Sequence, residues 1–254
     1  MGAKPLDNAW LTNEGWQQYL DGKIPDFKEL LTIDDLISRE SRLGIARNNQ
    51  TGTVKSGMLY QTEHVRFNFE SKKLQLLGVQ ALSITTEVTG IEPELAEKLC
   101  VEETHSLRFG GEGRIAFMTA EVVNEIQPQC AFSVDDKRYN KWVFTSPVSF
   151  NNDIGWIPKT FKSEIVNNIN VFVGQILGHS VTIESACISK ALRFGGWDQG
   201  AHKPKSVKSF LPAGSCWFTS SEITAELQSQ INSQGLGQLT QYGYGRVVIV
   251  PASK

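Results

Sequence analysis

Three glycine-rich clusters constrain this chain more than any other feature: Leu107-Arg108-Phe109-Gly110-Gly111-Glu112-Gly113-Arg114, Leu192-Arg193-Phe194-Gly195-Gly196-Trp197, and Gly235-Leu236-Gly237 followed by Tyr242-Gly243-Tyr244-Gly245-Arg246. Glycine reaches positive φ at little cost and weakens helix and strand interiors, so such clusters punctuate a chain rather than extend an element. Between them the sequence is mostly strand-like. Met58-Leu59-Tyr60 and Val65 to Phe69 alternate, Val79 to Val88 is rich in β-branched residues, and strand signals recur at Arg114 to Val123, Trp142 to Phe150, Val181 to Leu192, Cys216 to Thr219 and Arg246 to Val250. Gln50-Thr51-Gly52-Thr53 is turn chemistry.

Helical signals are fewer. Thr12 to Leu20 reads as a short helix with Thr12 as N-cap, and Asp34 to Glu40 as another turn or two. Glu92-Pro93 opens a helix through Leu99, with proline where its missing N–H is harmless. Ser221 to Gln234 is predicted helical, capped by Ser220 or Ser221 with Glu222 in the first turn, and ends at Gly235. Val166 to Leu177 reads equally as helix or buried strand. Many strands with few helices, in β-β-α order, predict an α+β sheet protein of the kind also used by RNA-recognition modules.

Glycine also lets a backbone N–H approach a phosphate directly, and flanking arginines add bidentate contacts to the same oxygens. The first cluster offers Arg108, Gly110, Gly111 and Arg114 for this; a tight bend between two strands is its bland alternative. The second offers Arg193, Gly195, Gly196 and Trp197, followed by Lys203, Lys205 and Lys208. Lysines spaced along a loop suit phosphate neutralisation, and Trp197 could stack an unpaired base, the alternative being a solvated loop with Trp197 in the core. Arg-Phe-Gly-Gly recurs in these two clusters. The third, with Gly243, Tyr244 and Arg246, lacks the Gly-Lys-Ser/Thr end of a phosphate-binding Walker loop and does not open a helix as a dinucleotide fingerprint does. Single-stranded RNA is the better ligand for it.

The net charge of −2 excludes a surface that attracts nucleic acid everywhere, yet between Lys190 and Lys208 only Asp198 opposes Lys190, Arg193, Lys203, Lys205, Lys208 and His202. Cys100, Cys130, Cys187 and Cys216 form no Cys-x-x-Cys pair and read as free core thiols; His64, His105, His179 and His202 are equally scattered. No structural metal and no cofactor are expected. No apolar run reaches the roughly 18–20 residues that span a bilayer, and the start lacks a signal peptide, so a cytoplasmic protein with no membrane partner is expected.

In order along the chain, Arg39-Glu40-Ser41-Arg42-Leu43-Gly44-Ile45, Gly57-Met58-Leu59-Tyr60, Val65-Arg66-Phe67, Gly110-Gly111-Glu112-Gly113-Arg114, Gly195-Gly196-Trp197-Asp198, Leu211-Pro212-Ala213-Gly214-Ser215 and the Gly235–Gly245 loop resemble the repeat-associated (RAMP) superfamily. Within it, they are similar to the subunits of type III-B (Cmr) CRISPR effector complexes that grip the 5′ handle of the guide RNA. The resemblance implies a ferredoxin-like (RRM-like) RAMP fold with β-hairpin insertions. The family's first strand and helix have no counterpart here, so an incomplete N-terminal unit is expected in 1–110, with a C-terminal ferredoxin-like unit in 111–254.

By the same resemblance the chain is a non-catalytic subunit of the ribonucleoprotein. Its implied partners are the repeat-derived 5′ handle of the CRISPR guide RNA, the large polymerase-like Cmr subunit and a backbone Cmr subunit, in antiviral defence. The candidate RNA-binding residues are Arg42, Lys55, Arg66, Arg108, Gly110, Gly111, Arg114, Arg193, Gly195, Gly196, Trp197, Lys203, Lys205, Lys208, Gly243, Tyr244 and Arg246. No catalytic or metal residue is assigned. One alternative is a guide-processing endoribonuclease combining His64 or His202 with Lys203 or Tyr60. Another is a scaffold that touches only protein.

Overall fold

The structure is a computed structural model that describes residues 9–68, 70–101, 104–110, 114–123, 139–150 and 155–252. It is α+β, with antiparallel pairing throughout its described sheets. The chain divides into two units, one made of Met1–Gln80 with Gln129–Lys254 and the other of Ala81–Pro128.

The first unit opens with strand β1 (Ala9–Leu11), helix α1 (Asn13–Leu20) and strand β2 (Leu30–Thr32), which pairs with β1. Thr12 caps α1 as expected, its hydroxyl accepting from the Gly15 N–H at 3.1 Å. Helix α2 (Ile33–Leu36) is a single turn, held at its start by the Asp35 carboxylate, which accepts from the Thr32 N–H at 2.9 Å. The expected helix over Asp34 to Glu40 stops there, because Ile37 begins strand β3 (Ile37–Arg47), which pairs along its length with β4 (Val54–Phe67). The long ladder overrides local helix propensity. The Gln50–Thr53 segment makes the turn between the two strands, with the Gly52 N–H donating to the Asn48 carbonyl at 2.8 Å. Helix α3 (Lys72–Leu76) follows, its Ser71 cap accepting from the Leu74 N–H at 3.4 Å.

The second unit holds helix α4 (Pro93–Val101), opening at the proline as predicted, and the hairpin of β5 (His105–Arg108) and β6 (Ile115–Met118). The expected strand over Val79 to Val88 has no regular structure: among the described residues no strand pairs with it.

The chain then returns to the first unit, which contains a six-stranded sheet. Its strands are β7 (Asn140–Phe144), β8 (Lys162–Val166), β9 (Ile169–Ile176), β10 (His179–Cys187), β15 (Cys216–Thr219) and β16 (Val247–Pro251), in the order β16-β7-β15-β10-β9-β8. Between β10 and β15 the chain makes an excursion of paired short strands, β11 (Leu192–Phe194) with β14 (Lys208–Phe210) and β12 (Trp197–Asp198) with β13 (Lys203–Pro204).

The ambiguous stretch before Leu177 is strand, and its turn residues show why. Asn167 and Asn168 have φ of 51° and 62°, and Leu177 and Gly178 have φ of 50° and 85°. Each pair is a two-residue hairpin turn with both φ positive, which suits the twist of the flanking strands. Helix α5 (Ala225–Gln234) ends at Gly235 as predicted but starts later, capped by Thr224, whose hydroxyl accepts from the Leu227 N–H at 3.1 Å. Ser221, one of the expected caps, accepts instead from the Thr182 N–H at 2.6 Å and ties the chain beyond β15 to β10.

Alternation along β16 sends Val247 and Ile249 to one face of the sheet and Val248 and Val250 to the other. The first face carries the main core, where Trp142, Phe144, Trp217, Leu227 and Ile231 are buried between sheet and α5. The opposite face is covered at β16 by Leu20 and Trp16 of α1. Beside them the Lys141 ammonium lies 3.8 Å from the Tyr19 ring centroid.

Candidate nucleic-acid interface

The excursion between Cys187 and Cys216 is an arm. Arg193, Lys203, Lys205 and Lys208 are all exposed on it, and among the described residues no carboxylate stands within ion-pair distance of any of them. Asp198, the acid of this stretch, accepts at Oδ1 from the Ala201 N–H at 3.0 Å and so shapes the tip. Trp197 is 52% exposed, which removes the reading that places it in the core. Gly195 and Gly196 let the arm continue past the β11–β14 ladder, with the Lys205 N–H donating to the Gly196 carbonyl at 2.9 Å. Cations without counter-ions beside an exposed indole are what a single-stranded polyanion with stackable bases requires.

The third glycine cluster is built onto the same region. The Leu236 N–H donates to the Gly245 carbonyl at 2.8 Å, the Gly245 N–H to Pro147 at 2.9 Å and the Gln238 N–H to Ser149 at 2.9 Å, so the loop is sewn to itself and to the strap after β7. Gly243, with φ of 81°, ends a short 3₁₀ turn over Thr240–Tyr242 and is open to solvent. Tyr244 joins loop to arm, its ring centroid lying 5.0 Å from that of Phe210 and 6.4 Å from that of Phe194. Phe210 was not singled out from sequence. Its signal was available in Lys208-Ser209-Phe210, a strand-like triplet facing Leu192-Arg193-Phe194. Arg246 has a structural task as well: its Nη1 donates to the Asn232 carbonyl at 2.8 Å, satisfying an end carbonyl of α5.

The remaining candidates belong to other elements. Arg42 and Arg66 belong to the β3–β4 ribbon, where register puts them on one face with Glu40, Tyr60 and His64. Arg42 forks onto Glu40 with bonds of 2.9 and 3.1 Å, and that bond holds the Glu40 carboxyl below the usual carboxylate range. Arg66 donates to the Ser38 hydroxyl at 2.9 Å and stands 3.9 Å from Glu70. Lys55 is exposed near the ribbon's turn. His64 sits 3.1 Å from the Thr62 hydroxyl on this ribbon, whereas His202 lies at the tip of the arm. Arg108, Gly110 and Arg114 belong to the second unit, where the Phe109 N–H donates to the Arg114 carbonyl at 3.0 Å and Gly110 has φ of 89°. Gly111 lies outside the described residues. The structure therefore brings the second and third clusters together and leaves the first in a unit of its own.

Comparison with known proteins bears on the whole chain. No curated protein matches it. Two solved structures of the type III-B Cmr-beta complex contain similar chains, one bound to cognate target RNA and the other to cognate target RNA and AMPPnP, both at 16% identity and a TM-score of 0.39. The alignments cover 78% of this chain and 52% of the first solved chain, and 84% and 55% for the second. The chain thus spans about half the length of the solved chains it matches. At that distance they add little to what the family match carries. The sequence profile of the CRISPR-associated protein family Cas_Cmr3 matches residues 2–252, nearly the full length, and the chain belongs to that family.

Proposed function

We propose that this chain binds the 5′ repeat-derived handle of a guide RNA within a type III-B Cmr complex, and that it does so without catalysing a reaction. Family membership supports the complex, and the arm supports the ligand. The observation that carries the RNA reading is the exposed set of Arg193, Lys203, Lys205 and Lys208 around Trp197, without a carboxylate partner among the described residues and rooted against the glycine loop through Tyr244. Handle RNA would run along the arm, phosphates on the lysines and a base on Trp197, with the exposed backbone at Gly243 as a further phosphate contact. Arg42, Lys55, Arg66, Arg108, Gly110, Gly111 and Arg114 are proposed as further contacts. The large polymerase-like subunit and a backbone subunit are the proposed protein neighbours.

The sheet supports a C-terminal ferredoxin-like unit within 111–254. With β7, β10, β15 and β16 taken as first to fourth strands, their order is fourth-first-third-second, all antiparallel, and α5 makes the second crossover. Among the described residues no helix makes the first crossover, where the β8–β9 hairpin stands instead, and the arm is an insertion between β10 and β15.

Salt dependence tests the placement. Each phosphate contact on single-stranded RNA contributes a slope of about −0.7 to log K against log salt. Replacing Lys203, Lys205 and Lys208 together by Ala should therefore flatten the slope by roughly 2. The side chains are exposed, so the melting temperature should hold. An unchanged slope and affinity would put the RNA elsewhere.

A further inference from the structure

The arm leaves the sheet between two cysteines. Strands β10 and β15 are antiparallel, and their register places Cys187 directly opposite Cys216 at the last pair of the ladder. Directly opposed Cα atoms in an antiparallel pair stand about 4.5–5.5 Å apart, inside the roughly 4.4–6.8 Å that a disulfide spans, and their side chains share a face of the sheet. Both are free thiols; Cys187 is exposed and Cys216 buried. Beyond this pair the strands part, 188–191 leading out into β11 and 211–215 leading back from β14.

We propose that Cys187 and Cys216 are a redox-responsive dithiol, oxidised by peroxide to a disulfide that staples the base of the arm. The exposed Cys187 reacts first. Its sulfur attacks one oxygen of hydrogen peroxide, the O–O bond breaks, and a sulfenic acid and one water result. The Cys216 sulfur then attacks the Cys187 sulfur and the S–O bond breaks. The S–S bond forms, and the hydroxyl departs with the Cys216 proton as a second water. Two thiols and one peroxide give one disulfide and two waters, with two electrons passing from sulfur to oxygen. The order follows from the surroundings: burial, reinforced by the neighbouring Cys187, pushes the Cys216 thiol up to about 11, so it is the poorer first nucleophile. The nearby Lys141 ammonium acts in the opposite sense and favours the Cys216 thiolate when it attacks.

The staple would lock the ladder where it ends and narrow the range of positions the arm root can take. The test uses the reduced full chain, exposed to hydrogen peroxide, alkylated, digested without reductant and read by mass spectrometry. A linked peptide pair containing Cys187 and Cys216, cleaved by dithiothreitol, is expected. Cys216→Ser should leave Cys187 as a sulfenic acid that dimedone captures. In the oxidised wild type, amide exchange in 188–191 and 211–215 should slow about tenfold. Cys187 and Cys216 both remaining open to alkylation while Cys100 or Cys130 oxidises would overturn the proposal, and so would a disulfide with unchanged exchange at the arm root. Neither readout involves RNA.

Discussion

Trp217→Ala is expected to destabilise the protein by about 3–5 kcal/mol, a large part of the roughly 5–15 kcal/mol that holds a domain folded. Trp217 is fully buried at the centre of the main core. Its ring centroid lies 4.8 Å from Phe144 in an edge-on arrangement, 5.4 Å from Phe150 in a stack, and 6.2 Å from Trp142 on the neighbouring strand. Deleting it removes the shared partner of these rings and leaves a cavity that a six-stranded sheet cannot collapse to fill. Among the described residues the indole N–H has no hydrogen-bond partner, and the expected loss rests on packing. Trp217→Phe should therefore cost clearly less than Trp217→Ala. In urea denaturation the midpoint should fall steeply for Ala and modestly for Phe; equal losses, or an Ala loss under about 1 kcal/mol, would contradict this account of the core.

Gly245→Ala is the second large effect, expected at roughly 3 kcal/mol or more. A Cβ at Gly245 would stand 1.8 Å from the Leu236 carbonyl oxygen and 2.8 Å from its carbon, with φ at 73° adding backbone strain. The loop has no flexible side chain there to yield, since the obstacle is the backbone it is bonded to. Gly243→Ala is the internal control. Its φ of 81° imposes about 1–2 kcal/mol of left-handed strain, yet among the described residues nothing lies within 4 Å of the added carbon. A melting temperature that drops far for Gly245→Ala and slightly for Gly243→Ala is the expected pattern. The reverse order would mean that the loop does not pack as described. Because Gly243 is open, a Gly243→Val protein that keeps its fold and loses RNA points to ligand contact, whereas the same loss at Gly245 points to packing.

These two glycines show what a sequence can and cannot carry. Both stand in one Gly-rich cluster, legible as a turn from composition, but which glycine faces solvent depends on the strap at Pro147 to Ser149, distant in sequence. Local signals located β15, the Gly235 end of α5, the Thr12 cap and the Pro93 start, because those are set by side chains within a turn of the boundary. They failed where pairing partners decide. Ile37 to Glu40 became strand because β4 lies alongside, and Val79 to Val88 stayed irregular, with no described strand paired to it. In the site, the lysines and Trp197 could be read as a basic loop. Their root could not, since Phe194, Phe210 and Tyr244 meet only after the chain has folded, and the bond from Arg246 to the end of α5 left no trace in composition.

Ultraviolet crosslinking of the native complex, followed by isolation of this chain, sequencing of the attached RNA and mapping of the adducted peptide, tests handle binding most directly. The account predicts RNAs that share one repeat-derived 5′ end, with adducts at Trp197 or elsewhere in 192–210 and in 235–246. Crosslinked RNAs with no common 5′ sequence, or adducts confined to other segments, would contradict it.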